Sequence, residues 1–264
     1  MRVNSERRGS GPPLVLIHGI GHRWQAWEPV LDELAGYHHV IAIDLPGFGE
    51  SPVPATGMPL GMPATVEAIQ DFFAANGLER PHVAGNSLGG AIALELATAD
   101  LVASATVFSP AGFYTDAERR RALRILTAMR YNTFLPGPLM KIGLRVAPIR
   151  SLSFAPLVVH PERLPAQRAY EDALALRRGR GFRAVAKSAL DYRFTGSPSV
   201  PVTVAWGSED RLLQPHQAAR ARERLPHARH VPLPGCGHVP MSDDPALVAS
   251  LILETTGRRQ AAPV

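Results

Sequence analysis

One cysteine, two lysines and no apolar run long enough to cross a bilayer set the outer limits on this 264-residue chain. The single thiol, Cys236, rules out an internal disulfide and suits a reducing compartment, so a cytoplasmic protein is expected. A membrane helix needs about 18 or more consecutive apolar residues, and none of that length occurs. Met1 to Pro13 carries Arg2, Arg7 and Arg8 with no apolar segment behind them, so no secretory signal is expected. The spacings that hold metals (C-x-x-C, H-E-x-x-H, the EF-hand loop) are missing, and neither metal, cofactor nor nucleic-acid partner is expected. Repeats and low-complexity linkers are also absent, and the tail from Arg258 to Val264 is expected to fray.

What is present is the composition of an ordinary globular protein, 45% hydrophobic and 19% charged. Leu14 to His18 and Val40 to Asp44 are short, nearly all-apolar runs, the pattern of strands buried on both faces of a parallel sheet. Pro81 to Ala84, Val102 to Phe108, Val200 to Trp206 and His230 to Leu233 read as further strands. Helical spacing runs over Trp27 to Leu34, Pro63 to Asn76 (closed by Gly77), Gly90 to Ala99, Arg211 to Leu225 and Pro245 to Thr256. Strand alternating with helix predicts an α/β fold with a doubly wound, mostly parallel sheet.

Between Thr115 and Arg193 the alternation stops. This stretch is helical in pattern but broken by Pro136, Pro138, Pro148, Pro156, Pro161 and Pro165, and it reads as several short helices capping the sheet's C-terminal edge. A plain crossover seldom needs so many residues. From Pro110 to Thr195 sixteen Lys and Arg face six Asp and Glu, a balance of +10, which leaves −5 for the rest of a chain whose net charge is +5. Two accounts stand: a solvated, Arg-rich helix face, or a positive frame around an entrance that draws anionic substrates. Phe134, Leu135, Leu139, Met140, Ile142 and Leu144 would line an acyl pocket or form the segment's own core.

The most informative residues are Gly85-Asn86-Ser87-Leu88-Gly89, placed between a strand and a helix. A G-x-S-x-G there is a nucleophile elbow, a turn so tight that its neighbours must be small and the serine hydroxyl stands out above the sheet. Serine is a poor nucleophile without a base, and the base needs a partner that fixes its tautomer. Five histidines follow: His160, His216, His227, His230 and His238. His238 alone sits on a Gly-rich loop directly after a strand, in Gly235-Cys-Gly-His238. For the acid, Asp210 closes the strand ending at Trp206, and Glu209 beside it would face away. Asp243 and Asp244 read as helix N-terminal residues before Pro245, and the other usual acid position, Ser109-Pro110, holds no carboxylate. An oxyanion hole would take one N–H from Leu88 and one from the loop after the first central strand, from Ile20 first and Gly21 second, with His18 bracing the loop.

These blocks, with Asp44-Leu-Pro-Gly-Phe-Gly-Glu-Ser51 added, resemble the α/β-hydrolase superfamily in its branch of cap-bearing serine esterases, over nearly the whole chain. The resemblance implies a helical cap inserted after the sixth strand, with residues 1–112 and 196–264 forming the core and 113–195 the cap. It implies a carboxylic ester or thioester hydrolase with Ser87, Asp210 and His238 as the catalytic set, working through an acyl-enzyme, and no chemistry for Asp44. Dehalogenase and epoxide hydrolase readings fail because Ser87 stands where they carry Asp. Carbon–carbon bond hydrolases share a Gly-Asn-Ser elbow but differ at Val239 and His22-Arg23. Cofactor-free perhydrolases share the triad, and a binding protein of the same fold is the non-enzymatic alternative.

Overall fold

The computed structural model describes residues 3–258, so the tail after Arg258 lies outside the described residues. The strands are β1 (Ser5–Arg8), β2 (Pro13–Ile17), β3 (His39–Ile43), β4 (His82–Asn86), β5 (Ser104–Phe108), β6 (Val202–Gly207) and β7 (Arg229–Leu233). They form one sheet in the order β1-β3-β2-β4-β5-β6-β7. Only β1 runs antiparallel, pairing Ser5 with Ile43 and Arg8 with Val40; all other pairs are parallel. The apolar runs read from the sequence are the inner strands. Polar β1, Ser-Glu-Arg-Arg, escapes a hydrophobic search because an edge strand needs only backbone pairing on one side.

The helices are α1 (Glu28–Ala35), α2 (Gly61–Ala75), α3 (Leu88–Thr98), α4 (Asp116–Asn132), α5 (Gly137–Arg145), α6 (Ala147–Phe154), α7 (Ala166–Arg178), α8 (Phe182–Ser188), α9 (Gln217–Arg224), α10 (Pro240–Asp243) and α11 (Pro245–Thr255). Side-chain alternation along the strands splits the core in two. Val15, Ile17, Ile41 and Ile43 pack with residues of α2, α3 and α9, while Leu14, Leu16, Val40 and Ala42 pack with α1 and α11. Each fully buried aliphatic side chain contributes roughly 1.5–3 kcal/mol, and a one-residue slip of register would exchange the side chains of the two cores and undo the packing on both faces.

Two expectations need correction. The helical insertion, α4 to α8, follows the fifth strand and not the sixth, because a single strand, β1, precedes β2. The helix expected from Arg211 starts only at Gln217, since the Asp210 carboxylate captures the N–H groups of Leu212 and Leu213 and holds them in a turn. Within the insertion, Thr115 and Glu118 close a capping box on α4. Arg150 is buried and donates to the carbonyls of Leu144, Arg145, Pro161 and Glu162, fastening α5 to α6 and the turn beyond. Arg130 donates to Leu176 and Gly179 and lies over the Phe182 ring, tying α4 to α7 and α8.

Candidate active site

Ser87 joins β4 to α3 with φ 56° and ψ −114°, a conformation that costs a non-glycine residue on the order of 1–3 kcal/mol. Hydrogen bonds from its N–H to Phe108 and to its carbonyl from Ala91 and Ala111 hold it there. The glycines of the motif answer to space. A Cβ on Gly85 would stand 2.1 Å from the Gly89 carbonyl oxygen, and one on Gly89 the same distance from that of Ile17. No larger residue fits either place.

His238 Nδ1 lies 2.7 Å from Asp210 Oδ2, and both residues are buried. A carboxylate only accepts, so Nδ1 carries the proton of this bond. The other carboxylate oxygen, Oδ1, accepts from Leu212 and Leu213, both at 2.8 Å, which fixes the carboxylate plane. Ser87 and His238 line one cavity of about 490 Å³. Among the described residues no hydrogen bond to the Ser87 hydroxyl is formed, and such bonds commonly tighten only with substrate in place.

Glu209 is exposed and does not line the cavity. Ser109, at the alternative acid position, is buried with no hydrogen-bond partner for its hydroxyl among the described residues. Of the remaining downstream histidines, His216 pairs with Glu118, His160 with Glu162, and His230 donates to the Leu225 carbonyl. None of these lines the cavity. Asp44 accepts from Asn4, Trp24 and Glu50 and serves as a loop brace.

Two polar groups whose roles the sequence did not disclose hold the His238 loop. Asn86 Nδ2 donates to the His238 carbonyl at 2.8 Å and to that of Phe108 at 3.1 Å, linking the elbow to the loop across the sheet edge. Asp243, read from the sequence as a helix N-terminal residue, accepts from Gly237 and from Val159, so the loop is also fastened to the helical insertion. In G-x-S-x-G the Asn86 position is unspecified, and Asp243 stands beside Asp244 ahead of Pro245 like an ordinary helix-start carboxylate, so neither carries a sequence signal for these bonds.

The Ile20 N–H is aimed by its own peptide. His18 Nε2 accepts from Leu45 at 2.9 Å, which leaves Nδ1–H to donate to the Gly19 carbonyl at 2.7 Å. Burial holds the His18 imidazole down at about 4, against the pull of Asp44, so the ring is neutral. His22 N–H donates to the same carbonyl. With the Gly19 carbonyl pinned, the trans peptide points the Ile20 N–H the opposite way. Gly19 stands against Ser87, where an added Cβ would come within 3.2 Å of the serine Cβ. Leu88 opens α3, so its N–H is one of the helix's unsatisfied donors. The Leu88 side chain turns instead into a smaller pocket near Tyr114 and Tyr192.

The cavity walls are apolar. Leu135, Leu139, Met140 and Leu144 line it, whereas Phe134 and Ile142 do not. Among the described residues no Lys or Arg lines it, and its one carboxylate, Asp172, is paired with Arg168 and Arg23. His22 joins this wall, with burial pushing its imidazole below the ordinary range.

Residues 14–251, nearly all of this frame, match the model of the alpha/beta hydrolase family. The chain belongs to the alpha/beta hydrolase family. It is 30% identical to the pimeloyl-[acyl-carrier protein] methyl ester esterase of Aeromonas hydrophila, over 97% of this chain and all of that one. It is 27% identical to Lipase 3 of a Moraxella species, over 88% of this chain and 73% of the lipase. A solved bacterial membrane phospholipase A superposes with a TM-score of 0.75 at 27% identity, covering 98% of this chain and 84% of that one. Within this alpha/beta hydrolase, no helix of the described residues is long and apolar enough to cross a membrane.

Proposed function

We propose that this protein hydrolyses carboxylic esters of apolar acyl groups through a Ser87–His238–Asp210 triad and an acyl-enzyme. The observation that carries the reading is a strained serine sharing an apolar cavity with a histidine whose far nitrogen is held by a buried carboxylate. Its family membership, with an esterase and a lipase among the relatives, agrees.

In this reading Ser87 Oγ attacks the acyl carbon while His238 Nε2 takes its proton. Asp210 keeps the proton on Nδ1 and stabilises the imidazolium that forms. The oxyanion is received by the N–H groups of Leu88 and Ile20, the first aided by the positive end of α3. His238 returns the proton to the departing alkoxide, and water activated by the same nitrogen then releases the acid. The helices from α4 to α8, residues 113–195, act as a cap that supplies the acyl pocket. A volume of about 490 Å³ falls in the range of small-molecule sites. With no cation in the walls, the acyl chain that fits is uncharged, and the basic balance of the cap lies outside the pocket.

The test is labelling with a fluorophosphonate together with turnover of p-nitrophenyl esters of rising chain length. Labelling of the parent chain but not of Ser87→Ala, with kcat/KM rising from acetyl toward medium-chain acyl groups, is expected. An unlabelled parent chain would remove the serine mechanism, and a strict preference for acetyl would remove the apolar-acyl assignment.

A further inference from the structure

Six large aliphatic side chains on and beside α5 and α6 face outward: Leu135, Leu139, Ile142, Val146, Ile149 and Leu152. Leu152 is 82% exposed and Ile142 is 61% exposed. The first four recur at steps of four, three and four residues along and beside α5, one face of a helix. Met140 and Leu144 occupy its opposite, buried face. On α6 the pair Ile149 and Leu152 points out while Arg150 and Phe154 point in. Monomeric proteins seldom leave so continuous an apolar strip in water.

The strip is continuous with the cavity: Leu135, Leu139 and Ile149 belong to both. Whatever covers the strip therefore sits on the mouth of the pocket that holds Ser87.

Charge decides what covers it. From Arg119 to Pro161 the sequence carries eight cations and no carboxylate. Of these, Arg120, Arg124, Lys141 and Arg145 are exposed and make no ion pair among the described residues. Lys141 and Arg145 flank the strip on α5 itself. A second copy docked face to face would bring a patch of the same sign against this one, with no carboxylate between Arg119 and Pro161 to meet its cations. An apolar strip bordered by unpaired cations matches instead the surface of a bilayer with anionic headgroups, aliphatic side chains entering the acyl boundary and cations staying at headgroup level.

We propose that the α5–α6 face docks on anionic lipid membranes, with the mouth of the cavity turned to the bilayer so that substrate passes directly from lipid into the apolar pocket. The lipid route rests on the esterase reading; the docking itself does not, and Ser87→Ala protein binds vesicles as the parent does.

Co-sedimentation of the full chain with phosphatidylglycerol–phosphatidylcholine vesicles, and with pure phosphatidylcholine vesicles, tests this. Binding to the anionic vesicles that weakens with added salt is expected. Ile142→Asp/Leu152→Asp, neither of which lines the cavity, should cut the partition coefficient at least tenfold while turnover of a water-soluble ester stays at the parent rate. Lys141→Glu/Arg145→Glu should remove the preference for anionic vesicles, each lost cation being worth about fivefold. Equal binding to both vesicle types, or no response to the paired aspartates in a folded, active protein, would overturn the proposal. So would a parent dimer that those aspartates convert to monomer.

Discussion

Replacing Asn86 by Ala tests whether the His238 loop is held from the nucleophile strand. Asn86 Nδ2 serves two buried carbonyls, those of His238 and Phe108. The Phe108 carbonyl keeps the N–H of Ser87 at 3.0 Å and loses little. The His238 carbonyl has no other donor among the described residues, and a buried acceptor left without one costs about 1–3 kcal/mol. Relaxation to recover that energy moves the loop that carries the imidazole. If the strain is relieved by displacing His238, the same 1–3 kcal/mol is withdrawn from its alignment with Ser87, a fall in kcat of about 5- to 150-fold. KM should change much less, because the acyl pocket is built from the helical insertion.

Urea denaturation and ester turnover on the same preparation read the two quantities. A stability loss within this range, with kcat reduced and KM nearly constant, is expected. Asn86→Ala protein that is destabilised by 1–3 kcal/mol but retains the parent kcat would show that the bond holds the fold and does not position His238.

Ser87→Ala should leave the fold intact and lower kcat by roughly 10⁴- to 10⁶-fold, checked by ester turnover and circular dichroism; near-parent turnover would refute the nucleophile. Asp210→Asn keeps the two bonds from Leu212 and Leu213 but supplies the wrong partner to Nδ1, so kcat should fall by about 10⁴, while Glu209→Gln stays within a factor of two or so of the parent. For His18 the folded value near 4 lies below the unfolded 6.5, so the unfolded chain binds more protons between these limits. Its contribution is intact above pH 6.5 and is lost as pH falls toward 4, on the order of 3 kcal/mol in all; His18→Asn should be weaker at pH 7 yet lose less stability than the parent on acidification, read from urea midpoints at pH 7 and 5.

Much of this site was legible because its chemistry leaves tight local marks. The elbow shows in sequence since Gly85 and Gly89 have no room for a Cβ, and Asp210 and His238 show because each ends a strand with a loop. The bonds from Asn86 and Asp243 join residues 152 and 84 positions apart, to a carbonyl and a backbone N–H, and backbone partners leave no residue preference to read. The edge strand β1 and the turn after Asp210 escape a hydrophobic search for a related reason: the first is set by backbone pairing and the second by a carboxylate that accepts from two backbone N–H groups, neither by hydrophobic period.

Charge was the feature that sequence located and structure had to sort. The sixteen cations between Pro110 and Thr195 differ in their partners, and nine of them show the range. Arg130 and Arg150 spend their donors on carbonyls and fasten helices. Arg119, Arg168 and Arg193 pair with carboxylates. Arg120, Arg124, Lys141 and Arg145 face water without an ion pair among the described residues. None of the sixteen lines the cavity with Ser87. A field that steers anions into the pocket would end at mostly apolar walls that hold no Lys or Arg among the described residues, where a carboxylate loses hydration and meets no cationic partner. The same charges at the outer rim lose nothing to desolvation and act at headgroup distance. Under the docking proposal the unpaired cations bear on where the enzyme sits, and under the esterase proposal the mostly apolar walls bear on which acyl group it accepts.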